Sequence, residues 1–366
     1  MEEAAAVEFG FAATAADAPG ASDAELYRSL LDECEHNRSL GFSTAWALEH
    51  HFSDYFPTPD VMLLLGHIAA RYPGLGLGTA VIVTPWHNPL RLAEQIAMLS
   101  VLSEGSLHLG LGRGTARLEF DAFGMDMEES RQRFNEAWAI LQLALTGDPF
   151  TYAGEMYSAP REIRIRPRPN RERINFYGAI GSPESAGIMG RLGLPPICTS
   201  IGDFKRQAET LRTWAEAAAD SGHSTIATFP ILIECIVADT DDEAIALARE
   251  YKPRFAQAMV EHYQTETTDW ENTKSYEAWK KIFSSIQART HPENIDPWTA
   301  WQLIGSPETV VRKARMFMAA GFNHFILHFA TPGVPRSVRR EWANRFAHEV
   351  APELSPAFGR PVVASG

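Results

Sequence analysis

Residues 75–111 read LGLGTAVIVTPWHNPLRLAEQIAMLSVLSEGSLHLGL, and the succession of textures in this stretch decides the fold. An apolar, β-branched run (75–83) gives way to a polar loop containing Pro85. A segment with apolar residues at helical spacing (89–102) follows, and then a second short apolar run (107–111). Strand, helix and second strand in that order are the grammar of a βαβ unit. The same succession recurs through the first 120 residues, and strand-like runs fall at 7–12, 44–48, 75–83, 107–111, 174–179, 197–199, 229–237 and 322–329. Eight is the number a closed parallel barrel needs, so the expected fold class is α/β, a (β/α)8 TIM barrel that uses 1–366 as one domain.

The intervening helices carry their own punctuation. Ser22-Asp23-Ala24-Glu25 is a capping-box sequence, Leu26, Leu30 and Cys34 share one face, and Gly41 supplies a left-handed stop. Phe134, Ala137, Trp138, Leu141 and Leu145 form a stripe assigned to packing, and Ser306-Pro307-Glu308 opens another helix. Two stretches interrupt the repeat. The Gly-, Pro- and Arg-rich segment 146–173 reads as a hairpin excursion after the fourth helix. The polar, aromatic-dotted segment 264–301, before the last βα unit, is long enough to be a lid.

With 45% hydrophobic and 22% charged residues the 366-residue chain can bury a large core, and its net charge of −13 argues against a nucleic-acid or anionic-membrane binder. Cys34, Cys198 and Cys235 are too few and too scattered for a disulfide framework or a thiolate metal cluster. The start Met1-Glu2-Glu3 lacks the basic region of a secretory signal, and no apolar run approaches the ~20 residues of a membrane span. The expectation is a soluble, cytoplasmic protein.

In a parallel barrel the chemistry gathers beyond the C-terminal ends of the strands. After the second run comes Glu49-His50-His51-Phe52. Neighbouring side chains on extended backbone point to opposite sides, so one histidine should face the barrel mouth and the other the wall. For the same reason the pair cannot bind one metal together, and no metal site is expected. A histidine at the mouth can serve as a general acid or base. After the fourth run, Gly112-Arg113-Gly114 lets backbone and a planar cation approach a ligand. After the fifth, Gly181-Ser182-Pro183-Glu184-Ser185 opens a helix. Its amides and hydroxyls suit a phosphate, and simple N-capping by Ser182 accounts for the motif equally well.

Taken in order, Leu48-Glu49-His50-His51-Phe52, the strand from Gly78 to Pro85, Pro89-Leu90-Arg91-Leu92-Ala93-Glu94, the glycines around Arg113, and the run from Phe123 to Arg131 resemble the successive signatures of the bacterial luciferase-like, flavin-dependent monooxygenases. The likeness continues through Gly193-Leu194-Pro195 and Gly305-Ser306-Pro307-Glu308, and is weak in 264–301. It implies a barrel that takes reduced FMN from a separate flavin reductase, combines it with O2 as a flavin hydroperoxide, and oxygenates a small organic substrate. Under that resemblance His50 assists the oxygen chemistry with Glu49 beside it, and Ala80-Val81 forms a cis peptide against the flavin ring. Arg113, Arg131, Gly181, Ser182 and Ser185 hold the phosphate.

The chain departs from the luciferase pattern in carrying Gly112 in place of a reactive cysteine, and Gly181 in place of a glutamate. Phe52, Trp86 and Phe120, with Tyr55, Phe56 and Phe123, suggest an apolar or aromatic substrate. A homodimer through helices 60–71 and 89–102 is implied by resemblance alone. Two other readings share the motifs: a deazaflavin-dependent oxidoreductase of the same superfamily, and a non-catalytic flavin-binding subunit.

Overall fold

A computed structural model describes residues 7–17, 20–200, 204–265, 277–356 and 358–359. The start Met1-Glu2-Glu3 and residues 266–276 of the expected lid lie outside the described residues. The elements run β1 (Glu8–Ala13), α1 (Asp23–Leu40), β2 (Thr44–Ala47), α2 (Val61–Arg71), β3 (Gly76–Val83), α3 (Pro89–Leu102), β4 (Leu107–Gly112), α4 (Arg117–Phe123), α5 (Ser130–Ala144), β5 (Phe150–Ala153), β6 (Ser158–Ile163), β7 (Ile174–Ile180), α6 (Pro183–Arg191) and β8 (Pro196–Thr199). They continue with α7 (Phe204–Asp220), β9 (Pro230–Val237), α8 (Asp241–Tyr263), α9 (Glu277–Ala288), α10 (Asp296–Thr299), β10 (Leu303–Gly305), α11 (Pro307–Ala319), β11 (His324–His328), α12 (Arg336–Arg345) and α13 (Ala351–Leu354).

Eight strands hydrogen-bond in the order β9–β11–β1–β2–β3–β4–β7–β8, and β8 returns to β9, so the sheet closes as a (β/α)8 barrel. All eight expected runs are strands, four of them shortened, three lengthened by a residue and one shifted by a residue. Their near-continuous burial explains why they read as unbroken apolar runs and not as alternating ones. The three-residue β10, paired with β9, escaped the sequence reading because it is too short to show a pattern. The excursion at 146–173 contains an antiparallel hairpin of β5 and β6, as expected. Among the described residues no helix is long and apolar enough to cross a membrane.

The chain divides into two compact units, Met1–Trp46 with Ile180–Ala258 and Ser285–Gly366, and Ala47–Ala179 with Met259–Ser284. In the first, Phe9 packs 5.7 Å from Phe325 and 5.2 Å from Phe346 by ring centroids. Gly10 is required beside the buried Trp46, because a Cβ there would lie 2.7 Å from the indole nitrogen. Glu25 reaches back to the Ser22 amide at 2.8 Å, and the helix ends at Gly41 with φ 100°. The reciprocal capping box at Ser22 and Glu25 is present as expected, and the Ser22 hydroxyl also contacts the Glu25 carboxylate at 2.7 Å. In the second unit, β3 and β4 pair in parallel with a register shift between Thr79 and Ile82, and the α5 stripe of Phe134, Ala137, Trp138 and Leu141 is buried as expected.

The first unit also buries a charged cluster. Glu234 on β9 accepts from Lys252 Nζ at 2.5 Å and pairs with His328 Nδ1 at 2.7 Å, and Lys252 also donates to Thr331 Oγ1 at 3.2 Å. Burial alone would raise the Glu234 pKa, yet the charges of Lys252 and His328 and their hydrogen bonds bring it down to about 2. A folded-state value below the ordinary 4.5 means that the carboxylate contributes stability above about pH 4.5 and loses it as the pH falls toward 2. Glu234→Gln strands the Lys252 charge, so urea unfolding at neutral pH should show a loss of about 3–5 kcal/mol. The acid limb of the stability profile should flatten as well; identical acid limbs in parent and variant would refute the assignment.

Candidate active site

Glu49, just beyond β2, has no exposed side-chain surface. Its Oε2 accepts from the Val83 amide at 2.8 Å, while Oε1 pairs with His87 Nε2 at 2.9 Å and His51 Nε2 at 3.2 Å. Burial raises the pKa of a carboxyl, but these hydrogen bonds and the His87 charge hold Glu49 below the ordinary carboxylate range. Burial likewise pulls His87 down, and the Glu49 hydrogen bond and charge outweigh it, so His87 sits above its ordinary value. His51 is thus turned onto Glu49.

His50 is half-buried, anchored by its amide to the Thr58 carbonyl at 3.3 Å. Its Nδ1 lies 3.7 Å from Glu119 Oε1 on α4, and His262 Nε2 at the end of α8 lies 3.5 Å from the same oxygen. The His51 amide donates to that oxygen at 2.9 Å. His262 is fully buried, and its Nδ1 meets Ser53 Oγ at 2.7 Å. Burial, reinforced by His50 and His51, pushes its pKa down to about 2, so its imidazole is neutral at any working pH. Tyr55 stacks 5.0 Å from His262 and 4.7 Å from His50, and Tyr263 lies 4.8 Å from His262. Burial and the nearby Glu119 charge push the Tyr263 phenol upward, which keeps it protonated. The loop carrying Ser53 and Tyr55 is bracketed by two left-handed residues, Phe52 at φ 60° and Phe56 at φ 50°.

β3 is buried along its length except at Ala80 and Val81, which are half-open and joined by a cis peptide bond. Gly112 lies against them: a Cβ there would fall 2.5 Å from Val81 Cγ2. Gly114, at φ 77°, would collide likewise with Val83 at 2.8 Å and with Trp86 at 3.1 Å. The two glycines make room for the side chains of Val81, Val83 and Trp86 beside the open part of the strand. An aromatic row continues from it, with Phe52 and Phe123 5.2 Å apart, Phe123 and Trp86 5.1 Å, and Trp86 and Phe120 4.5 Å.

The expected cofactor and substrate residues are therefore distributed unevenly. His50, Ala80, Val81, Phe52 and Trp86 present surface, whereas Glu49 and Phe120 present almost none and act from behind, Glu49 as a clamp and Phe120 as the support of the Trp86 indole. Arg113 and Arg131 are half-buried in the second unit, the latter with its guanidinium 5.9 Å from the Phe134 ring centroid. Gly181, Ser182 and Ser185 belong to the first unit. There Ser185 Oγ accepts from the amides of Gly181 and Ser182 at 3.2 and 3.0 Å, and Ser182 Oγ from the Ser185 amide at 3.2 Å. N-capping and anion binding were both open readings of this motif. The capping is present, with the Ser182 and Ser185 hydroxyls both engaged at the helix start. Sequence reasoning missed Glu119, His262 and Ser53, because nothing local marks a glutamate between Leu118 and Phe120 or a histidine ending a long helix.

A model of the luciferase-like monooxygenase family matches residues 7–324. The alkanal monooxygenase alpha chain of Photobacterium leiognathi is 25% identical over 345 residues, 92% of this chain and 96% of that one. An F420-dependent glucose-6-phosphate dehydrogenase of Amycolatopsis mediterranei is 23% identical over 336 residues, 89% and 94% of the two chains. Among solved structures, a type II Baeyer-Villiger monooxygenase in complex with FMN, the oxygenating constituent of 3,6-diketocamphane monooxygenase from Pseudomonas putida, superposes with a TM-score of 0.72. The identity there is 20%, and the coverage 95% of this chain and 99% of that chain.

The close approach at Gly112 gives a direct test. Gly112→Ala should destabilise the protein by about 1–3 kcal/mol through overpacking, and Val81→Ala in the same chain should recover most of the loss. Additive effects in a denaturation double-mutant cycle would show that the two positions do not confront each other.

Proposed function

The chain belongs to the luciferase-like monooxygenase family, and from that premise we propose that it is a two-component oxygenase, which takes reduced FMN from a separate flavin reductase and uses O2 to oxygenate an apolar or aromatic organic substrate. The observation that carries this reading is the half-open Ala80 and Val81 in an otherwise buried strand, with Gly112 and Gly114 admitting the Val81, Val83 and Trp86 side chains beside them and the aromatic row beyond. A planar, largely apolar ring system fits such a surface.

When bound, the reduced flavin supplies two electrons to O2, so that one oxygen atom enters the substrate and the other leaves as water. The residues of this chain supply the setting. His50 is assigned the oxygen chemistry on the family resemblance, Glu119 lies 3.7 Å from its Nδ1, and the Glu49 clamp fixes the neighbouring His51. Phe52, Phe123 and Trp86 keep water from the reacting groups, which favours transfer to substrate over loss as hydrogen peroxide. Arg113 and Arg131 offer charge-assisted donors to a phosphate. Gly181, Ser182 and Ser185 are assigned to the cofactor on the family resemblance.

With pre-reduced FMN under anaerobic conditions, the protein should bind one flavin per chain. Arg113→Ala and Arg131→Ala should each weaken binding roughly tenfold or more. In a coupled assay with a flavin reductase, His50→Ala should divert reducing equivalents from product into hydrogen peroxide. Unchanged coupling would remove His50 from its role. A preference for deazaflavin over FMN in the same titration would move the chain to the hydride-transfer reading, to which the Amycolatopsis relative lends support.

A homodimer is part of the proposal. Leu63 on α2 and Met98, Val101 and Leu102 on α3 are exposed, at 74%, 49%, 56% and 66%, a cluster of large apolar side chains on the two helices that the resemblance assigns to the interface. Leu63→Asp with Leu102→Asp should yield monomers in sedimentation analysis, and a dimer that persists in the double variant would place the interface elsewhere.

A further inference from the structure

We propose that His50 Nδ1, Glu119 Oε1 and His262 Nε2 form a three-ligand site for a zinc-type divalent cation, with the fourth coordination position open. The three atoms come from the loop after β2, from α4 and from the end of α8, and they lie within 4.8 Å of one another. Neither the adjacent pair His50 and His51 nor the scattered cysteines pointed to a metal in the sequence; the second imidazole comes from a distant helix.

The donor set points to one ion class. A tetrahedral cation with bonds of about 2.0–2.1 Å places its ligand atoms about 3.4 Å apart, and the Glu119 oxygen lies 3.5 and 3.7 Å from the two imidazole nitrogens in a set held within 4.8 Å. Two imidazoles and one carboxylate are also the donors that zinc and its neighbours accept, while calcium and magnesium prefer oxygen throughout.

A second, independent observation points into the site. His262 is fully buried, and its Nε2 has no hydrogen-bond partner although it faces the carboxylate at 3.5 Å. In the tautomer that donates Nδ1–H to Ser53, this nitrogen turns a lone pair toward a carboxylate oxygen, and a cation between them satisfies both. The supporting contacts are those of a held ligand set: Ser53 fixes the His262 ring through its other nitrogen, and the His51 amide fixes Glu119. Coordination uses Nδ1 of His50 and leaves Nε2 of that ring outside the set, so the site shares His50 and Glu119 with the flavin reading and is tested with no flavin present.

The test uses full-length protein freed of metal by chelation, with no flavin present. Titration with cobalt(II) should develop the visible bands of tetrahedral coordination at one ion per chain, zinc should displace it, and magnesium should not. Glu119→Gln and His262→Gln should each weaken zinc binding by about a hundredfold or more, and Ser53→Ala by roughly tenfold with the stoichiometry kept. Thermal melts of the metal-free variants separate loss of ligand from loss of fold; for a variant that does not fold, the cobalt spectrum and zinc stoichiometry of the parent and of Ser53→Ala decide. No stoichiometric zinc binding, octahedral cobalt spectra, or equal affinity in parent and folded variants would overturn the proposal.

Discussion

Glu49 accepts from the Val83 amide, His87 and His51 at a position where its carboxylate is sealed from solvent. Each of those partners belongs to a different stretch of chain: the end of β3, the turn after it, and the loop beyond β2. A buried anion with its acceptor sites used in this way fixes the three stretches together, because withdrawing any donor leaves an uncompensated charge in the interior. The orientation of the candidate site follows. His51 is consumed by the clamp, and so His50, its neighbour on extended backbone, is left to present its ring on the other side.

The same logic appears twice in the molecule with different ends. In the first unit Glu234 is satisfied by Lys252 and His328, and that cluster is closed upon itself. In the second unit Glu119 draws only the His51 amide as a hydrogen-bond donor among the contacts to Oε1, and two imidazole nitrogens stand 3.5 and 3.7 Å away without hydrogen-bonding it. A buried polar group met at hydrogen-bond distance builds structure; one surrounded at a longer distance is set up to receive something.

Most of the barrel could be read from the order of residues because a strand buried on both faces must be an apolar run, and eight of them cannot be hidden. The hairpin at 146–173 was equally plain from its Gly and Pro content. Parts of the site were legible for a related reason: His50, Arg113 and Ser182 all follow strands, where loops carry chemistry. What could not be read was proximity between segments far apart in sequence. Ser53 and His262 are 209 positions apart and meet at 2.7 Å. Neither carries a local signal, since a serine in a loop and a histidine at a helix end are ordinary. Burial was equally invisible: Glu49 and Phe120 read as residues that could touch a ligand, and packing buries both.

The loop between the two phenylalanines with positive φ has a bearing on how this protein would respond to selection. A residue with a β-carbon held in the left-handed region sacrifices something like 1–2 kcal/mol that glycine would spare. At Phe52, which is exposed, a library screened only for heat resistance should therefore drift toward glycine or asparagine, and in doing so slacken the aim of Ser53 and Tyr55. At the buried Phe56 the packing of the ring outweighs the strain, so the aromatic there is kept by the core as well as by the loop.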